Sequence, residues 1–234
     1  MSRGPAVHAA RGFTAGALRA AAPGDRLCCL VLVGGREWVA VDTNTGAYVR
    51  PYAPEDPGQP ADPAMARPLE LVELTIGGVP GPPDPSRPEA VSPAGSRSLG
   101  PSRRRAARRL LARLVTKAPE LPLLGTLGPS VAYRDLDGGR PSVVLVSPDD
   151  RPRFGNGPSG PWCQFTLGGR RHALPLNGRP EEALEHAEGP GHPGTSRRGS
   201  RAAGRGSAQP RLLVVGYGAP RGGQVPKVVL GALS

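Results

Sequence analysis

Short apolar runs separated by turn residues dominate the hydrophobic pattern of this chain. The clearest case is residues 27–51, where three runs rich in Val, Leu and Ala flank Gly34-Gly35 and the turn-forming segment 42–46. Apolar, β-branched runs separated by Gly, Asp, Asn and Thr are typical of strands joined by tight turns. The pattern predicts a three-stranded β-meander, with Tyr48 and Arg50 on one face of its third strand.

More strands are predicted further along the chain. Alternating apolar and charged residues indicate a half-buried strand at 69–76, and Gly168-Gly169 is a good signal for a two-residue hairpin turn. The intervening run 77–92 contains five prolines and is expected to be extended coil. The remaining predicted strands are residues 131–134, 142–146, 162–167, 170–176, 212–217 and 225–233.

One segment, residues 102–117, has the pattern of an amphipathic helix. Its apolar residues follow the three-four spacing of a buried stripe, and Ser102 is expected to be the N-cap. Arginines occupy the rest of the surface, several of them near the N-terminus, where the helix dipole disfavours cations. This conflict suggests contact with an anion or with a carboxylate partner. The stripe consists of Ala107, Leu110, Leu111, Leu114 and Val115.

Glycine and proline divide the chain into ordered and disordered parts. The sequence has 34 Gly and 30 Pro, which would favour disorder if they were evenly spread. They cluster instead, so we expect a disordered leader over 1–25, or a misplaced start site, and a disordered low-complexity linker over 177–210. The β domain is then formed by residues 26–176 together with 211–233.

The net charge is +11, which attracts polyanions whatever the fold. The excess is concentrated in the predicted helix and in the linker. Two interpretations remain open: a polyanion-binding surface, or a solubilising surface combined with the arginine bias of a GC-rich coding sequence.

Candidate catalytic and metal-binding residues are sparse. The histidines are scattered and no Cys-x-x-Cys spacing occurs, so no metal or other cofactor is expected. Cys163 lies within a predicted strand, where a small buried hydrophobic residue is the usual case. No catalytic constellation is present, no apolar run is long enough to span a membrane, and the cysteine usage suggests a cytoplasmic protein.

Rings and cations on predicted strands suggest a binding face. Such mixtures can stack bases and pair with phosphates. The alternative is that Trp162 and Phe165 fill a core that has few other aromatics, since these make up 4% of the chain. The residues in question are Tyr48, Arg50, Trp162, Phe165, Arg170, Arg171 and Lys227.

Taken in order, these elements resemble the dual OB-containing domain family of bacterial proteins. The resemblance covers most of residues 27–233 and depends on the order and spacing of its motifs. They are Gly46-Ala47-Tyr48-Val49-Arg50-Pro51, the strand 69–76 followed by Pro88-Glu89-Ala90-Val91, Leu145-Val146-Ser147-Pro148, the hairpin 162–176 and Lys227-Val228-Val229.

The resemblance implies two small OB-like β-barrels packed together. With the helix and inserts predicted above, the expected fold is mainly β with one amphipathic helix and long disordered inserts. It also implies binding of nucleic acid or a nucleotide ligand, since OB barrels commonly bind single strands. Together with the lack of a catalytic constellation, this predicts a non-enzymatic protein that binds single-stranded nucleic acid or a nucleotide ligand. The alternative is a protein–protein interaction module, or an accessory in a bacterial defence or regulatory system. The expected ligand-binding residues are Tyr48, Arg50, Glu89, Trp162, Arg170 and Lys227. The expected contacts to a nucleic-acid backbone are Arg104, Arg105, Arg108 and Arg109.

Overall fold

The structure, a computed structural model, describes Leu18 and residues 22–34, 38–51, 67–78, 84–116, 122–177 and 212–233. The predicted leader and linker lie outside the described residues, apart from Leu18, residues 22–25 and Asn177. The described residues form two compact units, one comprising residues up to 114 together with 133–144, the other 115–132 together with 145 onwards. They are mainly β with a single α-helix, which confirms the expected fold class.

The first unit contains a closed five-stranded barrel. Its strands are β1 (Arg26–Val33), β2 (Val39–Asp42), β3 (Tyr48–Pro51), β4 (Glu70–Gly78) and β5 (Ala90–Pro101). Around the barrel they follow the order β1-β2-β3-β5-β4. β1 pairs antiparallel with both β2 and β4, and β3 runs parallel to β5. The meander predicted over residues 27–51 is therefore confirmed.

Side-chain alternation builds the core of this barrel. Leu27, Cys29 and Val31 are two residues apart on β1, so they point to the same side and join one buried cluster. The turn between β2 and β3 is held by Asp42, whose carboxylate accepts hydrogen bonds from the Asn44 amide (3.1 Å) and the Thr45 hydroxyl (2.7 Å). The other cluster members are Trp38, Ala40, Val49, Val72, Leu74, Ile76 and Val91.

The coil predicted over residues 77–92 ends earlier than expected, because β5 begins at Ala90. Glycine, serine and two prolines give residues 90–101 little intrinsic preference for a strand. β4 supplies the missing stabilisation, since it pairs antiparallel with β5 from Glu70↔Pro101 to Gly78↔Ser92. Three register irregularities in this ladder accommodate the poorly suited residues.

The predicted helix is confirmed as α1 (Arg104–Leu114), with Ala107, Leu111 and Leu114 buried. The expected cap is wrong, because the Ser102 hydroxyl is buried and has no hydrogen-bond partner among the described residues. The helix begins one residue later, with the Arg103 carbonyl accepting a hydrogen bond from the Ala107 amide at 3.0 Å. The side chain of Arg103 cannot accept a hydrogen bond from the backbone amides of the first turn, as a good N-cap side chain would.

Two further sheets, one curled and four-stranded and one three-stranded, belong to the second unit, except for residues 143 and 144, which group with the first unit. The four strands are β6 (Ser130–Ala132), β7 (Val143–Val146), β11 (Leu212–Tyr217) and β12 (Gln224–Leu233), in the order β6-β12-β11-β7. The other sheet has the order β10-β9-β8, with β8 (Arg153–Gly157), β9 (Gly160–Leu167) and β10 (Arg170–Pro175). The closing hairpin predicted near the end of the chain is thus part of a sheet.

The hairpin predicted at Gly168-Gly169 is confirmed. Both glycines have positive φ, +56° and +72°, which a two-residue type I′ turn requires. β8 was not predicted, because Gly155-Asn156-Gly157 has the composition of a loop. It forms along β9, pairing from Arg153↔Gln164 to Gly157↔Gly160.

Candidate functional site

Arg50 and Glu89, two of the predicted ligand-binding residues, meet where β3 runs alongside β5. The Arg50 Nη1 lies 3.7 Å from Glu89 Oε1, and the Arg50 amide donates to the Glu89 carbonyl at 3.1 Å. Both residues are nearly inaccessible to solvent, at 4% and 3% exposed. The structure therefore brings these two residues together inside the first unit.

Ser142 completes this network, and sequence reasoning missed it. Its hydroxyl donates to Glu89 Oε1, its amide donates to Glu89 Oε2 at 3.1 Å, and Arg50 Nη1 donates to its hydroxyl oxygen at 3.1 Å. Ser142 is 1% exposed and belongs to the segment 133–144 that returns to the first unit. The network fastens that segment to the barrel.

Tyr48 lies beside Arg50 on the same face of β3, as predicted, and it is buried as well. Val49, which points the other way, belongs to the barrel core. Side chains on both faces of β3 are therefore covered, and all four residues of β2 are buried too.

Lys227 is buried in the second unit, 2% exposed. Its Nζ donates to the Thr126 carbonyl at 2.5 Å, and its amide donates to the Pro129 carbonyl at 2.7 Å. Its cross-strand neighbour Tyr217 donates to the Leu124 carbonyl at 3.2 Å and shares a 3.3 Å hydrogen bond with the Thr126 hydroxyl. Lys227 and Tyr217 together hold the segment 122–129 against β11 and β12.

Burial lowers the pKa of Lys227 to about 8. Within the part of the chain that the structure describes, Thr126 provides the one hydrogen-bond acceptor for the ammonium group, and no carboxylate lies within 4.0 Å of it. Arg50 and Lys227 were both predicted to bind ligand, with their convergence on one face left open. They belong to different units, and each is engaged by its own partners.

The four arginines predicted to contact a nucleic-acid backbone lie on the exposed side of α1. Arg104, Arg105, Arg108 and Arg109 are all exposed, and the first turn contains no acidic residue. Among the described residues, no carboxylate lies within 4.0 Å of their guanidinium groups. The predicted conflict with the helix dipole is therefore unrelieved within the described part of the chain.

Strand alternation places Trp162 and Phe165 on opposite faces of β9. Phe165 is 1% exposed and stacks on the His172 ring, with centroids 5.2 Å apart. Trp162 is only partly buried. Phe165 therefore fills the core, as the alternative interpretation expected. Trp162 does not, because it lies on the outer face of the sheet.

Arg170 is exposed and lies directly after the hairpin turn, opposite Leu167. It is two residues from His172 and shares that residue's side of β10, away from Trp162. The pKa of His172 is lowered, first by burial and then by the positive charges of Lys227 and Arg170. Trp162 and Arg170, both predicted to bind ligand, are thus not brought to one face.

Catalytic and metal chemistry have little support among the described residues. No group of three or more His, Cys, Asp and Glu side chains there is placed to hold a metal ion. Cys163 is fully buried, as expected, and burial raises the pKa of its thiol to about 12, which disfavours the reactive thiolate. None of the described helices has both the length and the apolar character needed to cross a membrane.

Comparisons with known proteins give no further guide to the site. Family models, curated proteins and solved structures were each compared with the chain, and none of them matches it. The candidate sites are therefore defined by geometry alone. Among the described residues, the first unit has the Arg50–Glu89–Ser142 network and the exposed arginines of α1, and the second has the Lys227 network and the partly exposed Trp162.

Proposed function

We propose that this protein is a non-enzymatic nucleic-acid-binding protein whose main contact is the arginine surface of α1. The observation that carries the proposal is the exposure of Arg104, Arg105, Arg108 and Arg109 without a carboxylate partner among the described residues. Arginine guanidinium groups pair with phosphate in a bidentate geometry. Neutralising phosphates releases counterions, which supplies most of the affinity for a polyanion.

The topology of the first unit supports an OB-type protein. A closed barrel of five strands, in which β1 pairs with both β2 and β4 and β3 pairs with β5, is compatible with the five-stranded Greek-key barrel of OB folds. Many OB barrels bind single strands, and the resemblance to the dual OB-containing domain family points the same way. We therefore propose single-stranded nucleic acid as the ligand class.

The buried cations have a different part in this proposal. An OB barrel commonly binds its ligand on the face of its second and third strands, but here β2 and β3 are covered on both faces. Arg50, Glu89 and Lys227 are buried and hydrogen-bonded. In our proposal they stabilise the two units, and the arginines of α1 contact the phosphates. The three cysteines, none of which is in a disulfide among the described residues, support a reducing, cytoplasmic location in this proposal.

Salt-dependent binding of an oligonucleotide tests the proposal. The logarithm of the affinity for a single strand should fall linearly with the logarithm of salt concentration, by about 0.7 for each phosphate contacted. The double variant Arg104→Gln, Arg108→Gln should bind more weakly and reduce that slope by about 1 to 1.5. No binding by the wild type at low salt would contradict the proposal.

A matched control is available on the same unit. Arg97 and Arg134 are also exposed, but they pair with Glu73 at 3.2 Å and with Asp135 at 3.8 Å. The variant Arg97→Gln, Arg134→Gln removes the same formal charge as the α1 variant. We expect it to keep most of the affinity and the slope, and an equal loss in both variants would show that α1 is not the contact.

A second candidate function is protein recognition by strand addition at β5. Residues 92–101 pair with β4 on one side, and no described strand pairs with their other side. An open strand edge offers its N–H and C=O groups to a partner's strand. Hydrogen exchange distinguishes the two functions, because a protein partner at this edge would protect residues 92–101 and an oligonucleotide would protect α1.

A further inference from the structure

The outer face of the three-stranded sheet carries the partly exposed Trp162 together with two arginines. Trp162 is opposite Gly155 on β8 and Pro175 on β10. Residues in register on antiparallel strands share a face. The same face therefore carries Arg153, opposite Gln164, and Arg171, opposite Thr166. We call these three side chains, Arg153, Trp162 and Arg171, the Trp162 face.

Two glycines make room for the indole on β8. A Cβ at Gly155 would lie 2.5 Å from Trp162 Cζ2, and a Cβ at Gly157 would lie 3.5 Å from Trp162 Cδ1. These atoms belong to opposite ends of the indole, so the ring lies along the strand and covers both glycines. One side of the ring packs on the backbone of β8, and the residue remains partly exposed.

The charge on this face suits a nucleic-acid strand. Arg153 and Arg171 are exposed, and none of the described carboxylates lies within 4.0 Å of either guanidinium group. The neighbouring Asp150 is engaged by Thr166, whose amide and hydroxyl both donate to its carboxylate at 2.9 Å. The charge of Arg153 helps to lower the pKa of Asp150, but neither arginine is held in a salt bridge with a described carboxylate. Both cations can therefore contact an external anion, next to a flat apolar ring.

We propose that the Trp162 face stacks an unpaired base on the indole while Arg153 and Arg171 contact the flanking phosphates. The inference rests on the nucleic-acid binding proposed above, and it gives a physical reason for a preference for single strands. Aromatic side chains stack bases of any identity, because every base has a π-face. In a duplex both faces of a base are already stacked on its neighbours, so this site selects unpaired bases without reading their sequence.

Intrinsic fluorescence provides a direct test, because the chain has two tryptophans. Trp38 is buried in the barrel core, whereas Trp162 is partly exposed. We expect titration of the full chain with an oligothymidylate to quench the emission. The quenching should persist in Trp38→Phe and disappear in Trp162→Phe, while an oligonucleotide duplex of equal length should quench less.

Affinity measurements separate stacking from charge. Trp162→Ala should weaken oligothymidylate binding about 5- to 150-fold, the range expected for losing one stacked base. Trp162→Phe keeps a ring and should lose less. The variant Arg153→Gln, Arg171→Gln should reduce the salt slope by about 1 to 1.5.

The outcomes distinguish this inference from the proposed function. Oligothymidylate binding that depends on α1 but neither quenches the wild type nor weakens in Trp162→Ala would overturn the stacking site and leave the proposed function standing. No binding by the wild type at low salt would overturn both. If Trp162→Ala fails to fold by circular dichroism, quenching of the wild type still decides: its absence overturns the stacking site.

Discussion

Ser142 donates a hydrogen bond to each carboxylate oxygen of Glu89, from its hydroxyl to Oε1 and from its amide to Oε2. The residues are 53 positions apart in the chain. Arg50 joins them from β3, so three distant segments of the first unit depend on one carboxylate. A buried ion pair is weak evidence for net stabilisation, but the loss of one partner leaves a charge buried without compensation.

Glu89→Ala should therefore be strongly destabilising. Removing one member of a buried pair typically lowers the free energy of unfolding by about 3–5 kcal/mol. The control is Glu73→Ala, which breaks the exposed Arg97–Glu73 pair and should cost at most about 1 kcal/mol. Urea unfolding of both variants gives the comparison, and similar losses in the two would contradict this account of Glu89.

Lys227 should make stability depend on pH in the alkaline range. Burial lowers its pKa from 10.5 to about 8, so between these values the unfolded chain binds more protons than the folded one. Stability contributed by this group therefore rises as pH increases from about 8 to 10.5. Below pH 8 both states are protonated, and the destabilising effect of the buried charge is constant.

The measurement is the difference in unfolding free energy between the wild type and Lys227→Met across this range. Taking the difference cancels the contribution of Cys163, whose raised pKa comes from burial. His172, whose pKa is lowered from 6.5, is neutral throughout this pH range. We expect the wild type to gain stability relative to Lys227→Met as pH rises from 8 to 10.5. A flat difference, or one that falls, would show that the lysine is not desolvated as the structure indicates.

Arg103→Asp should stabilise the N-terminus of α1 and thereby raise the free energy of unfolding. Arg103 occupies the N-cap position, and the first turn has no acidic residue. An aspartate there can accept a hydrogen bond from a first-turn amide and favours the helix dipole, so we expect a gain of about 1 kcal/mol in urea unfolding. Arg103→Asn is the control, since it supplies the cap without the negative charge.

Arg103→Asp should also weaken the proposed binding to nucleic acid. Arg103→Asp reverses a charge beside the arginine surface, so oligonucleotide affinity at low salt should fall while stability rises. If Arg103→Asp is less stable than the wild type, Arg103 is not the N-cap residue. If it binds the oligonucleotide as tightly as the wild type, the α1 arginines are not the contact surface.

Gly155→Ala should displace the indole of Trp162. The added Cβ would lie 2.5 Å from the ring, too close for any side chain, whereas Gly157→Ala would create an ordinary 3.5 Å contact. We expect Gly155→Ala to shift the tryptophan emission to longer wavelength and to cost about 1–3 kcal/mol, the usual range for overpacking. Gly157→Ala should leave the emission unchanged, and identical spectra for both variants would contradict the described ring position.

The strands, turns and helix that are determined by short-range sequence patterns could be predicted from the sequence. The meander β1–β3 follows from its apolar runs and the Asp42 turn, the β9–β10 hairpin from Gly168-Gly169, and α1 from its apolar stripe. β5 could not be predicted, because its glycine- and proline-containing residues form a strand only when β4 lies alongside. Tertiary pairing overrides local preference there.

The candidate site was only partly accessible to the same reasoning. The exposure of the α1 arginines follows from the helical period, and the separation of Trp162 from Phe165 follows from strand alternation. The burial of Arg50 and Lys227 does not follow from any local pattern. Their partners Ser142 and Thr126 are 92 and 101 residues away in sequence. A cation on a strand has the same sequence signature whether it faces solvent or a distant acceptor.

The return of residues 133–144 to the first unit has a consequence for how this protein is made. A polypeptide truncated after Leu114 would contain all five strands of the barrel but would lack Ser142. During synthesis the chain must therefore be extended by about thirty further residues before the Ser142 amide and hydroxyl can donate to Glu89, and until then Arg50 is the partner that the barrel itself supplies to this carboxylate. A fragment that ends with the helix would lack both hydrogen bonds from Ser142 to Glu89, so fragments of the first unit should extend to residue 144.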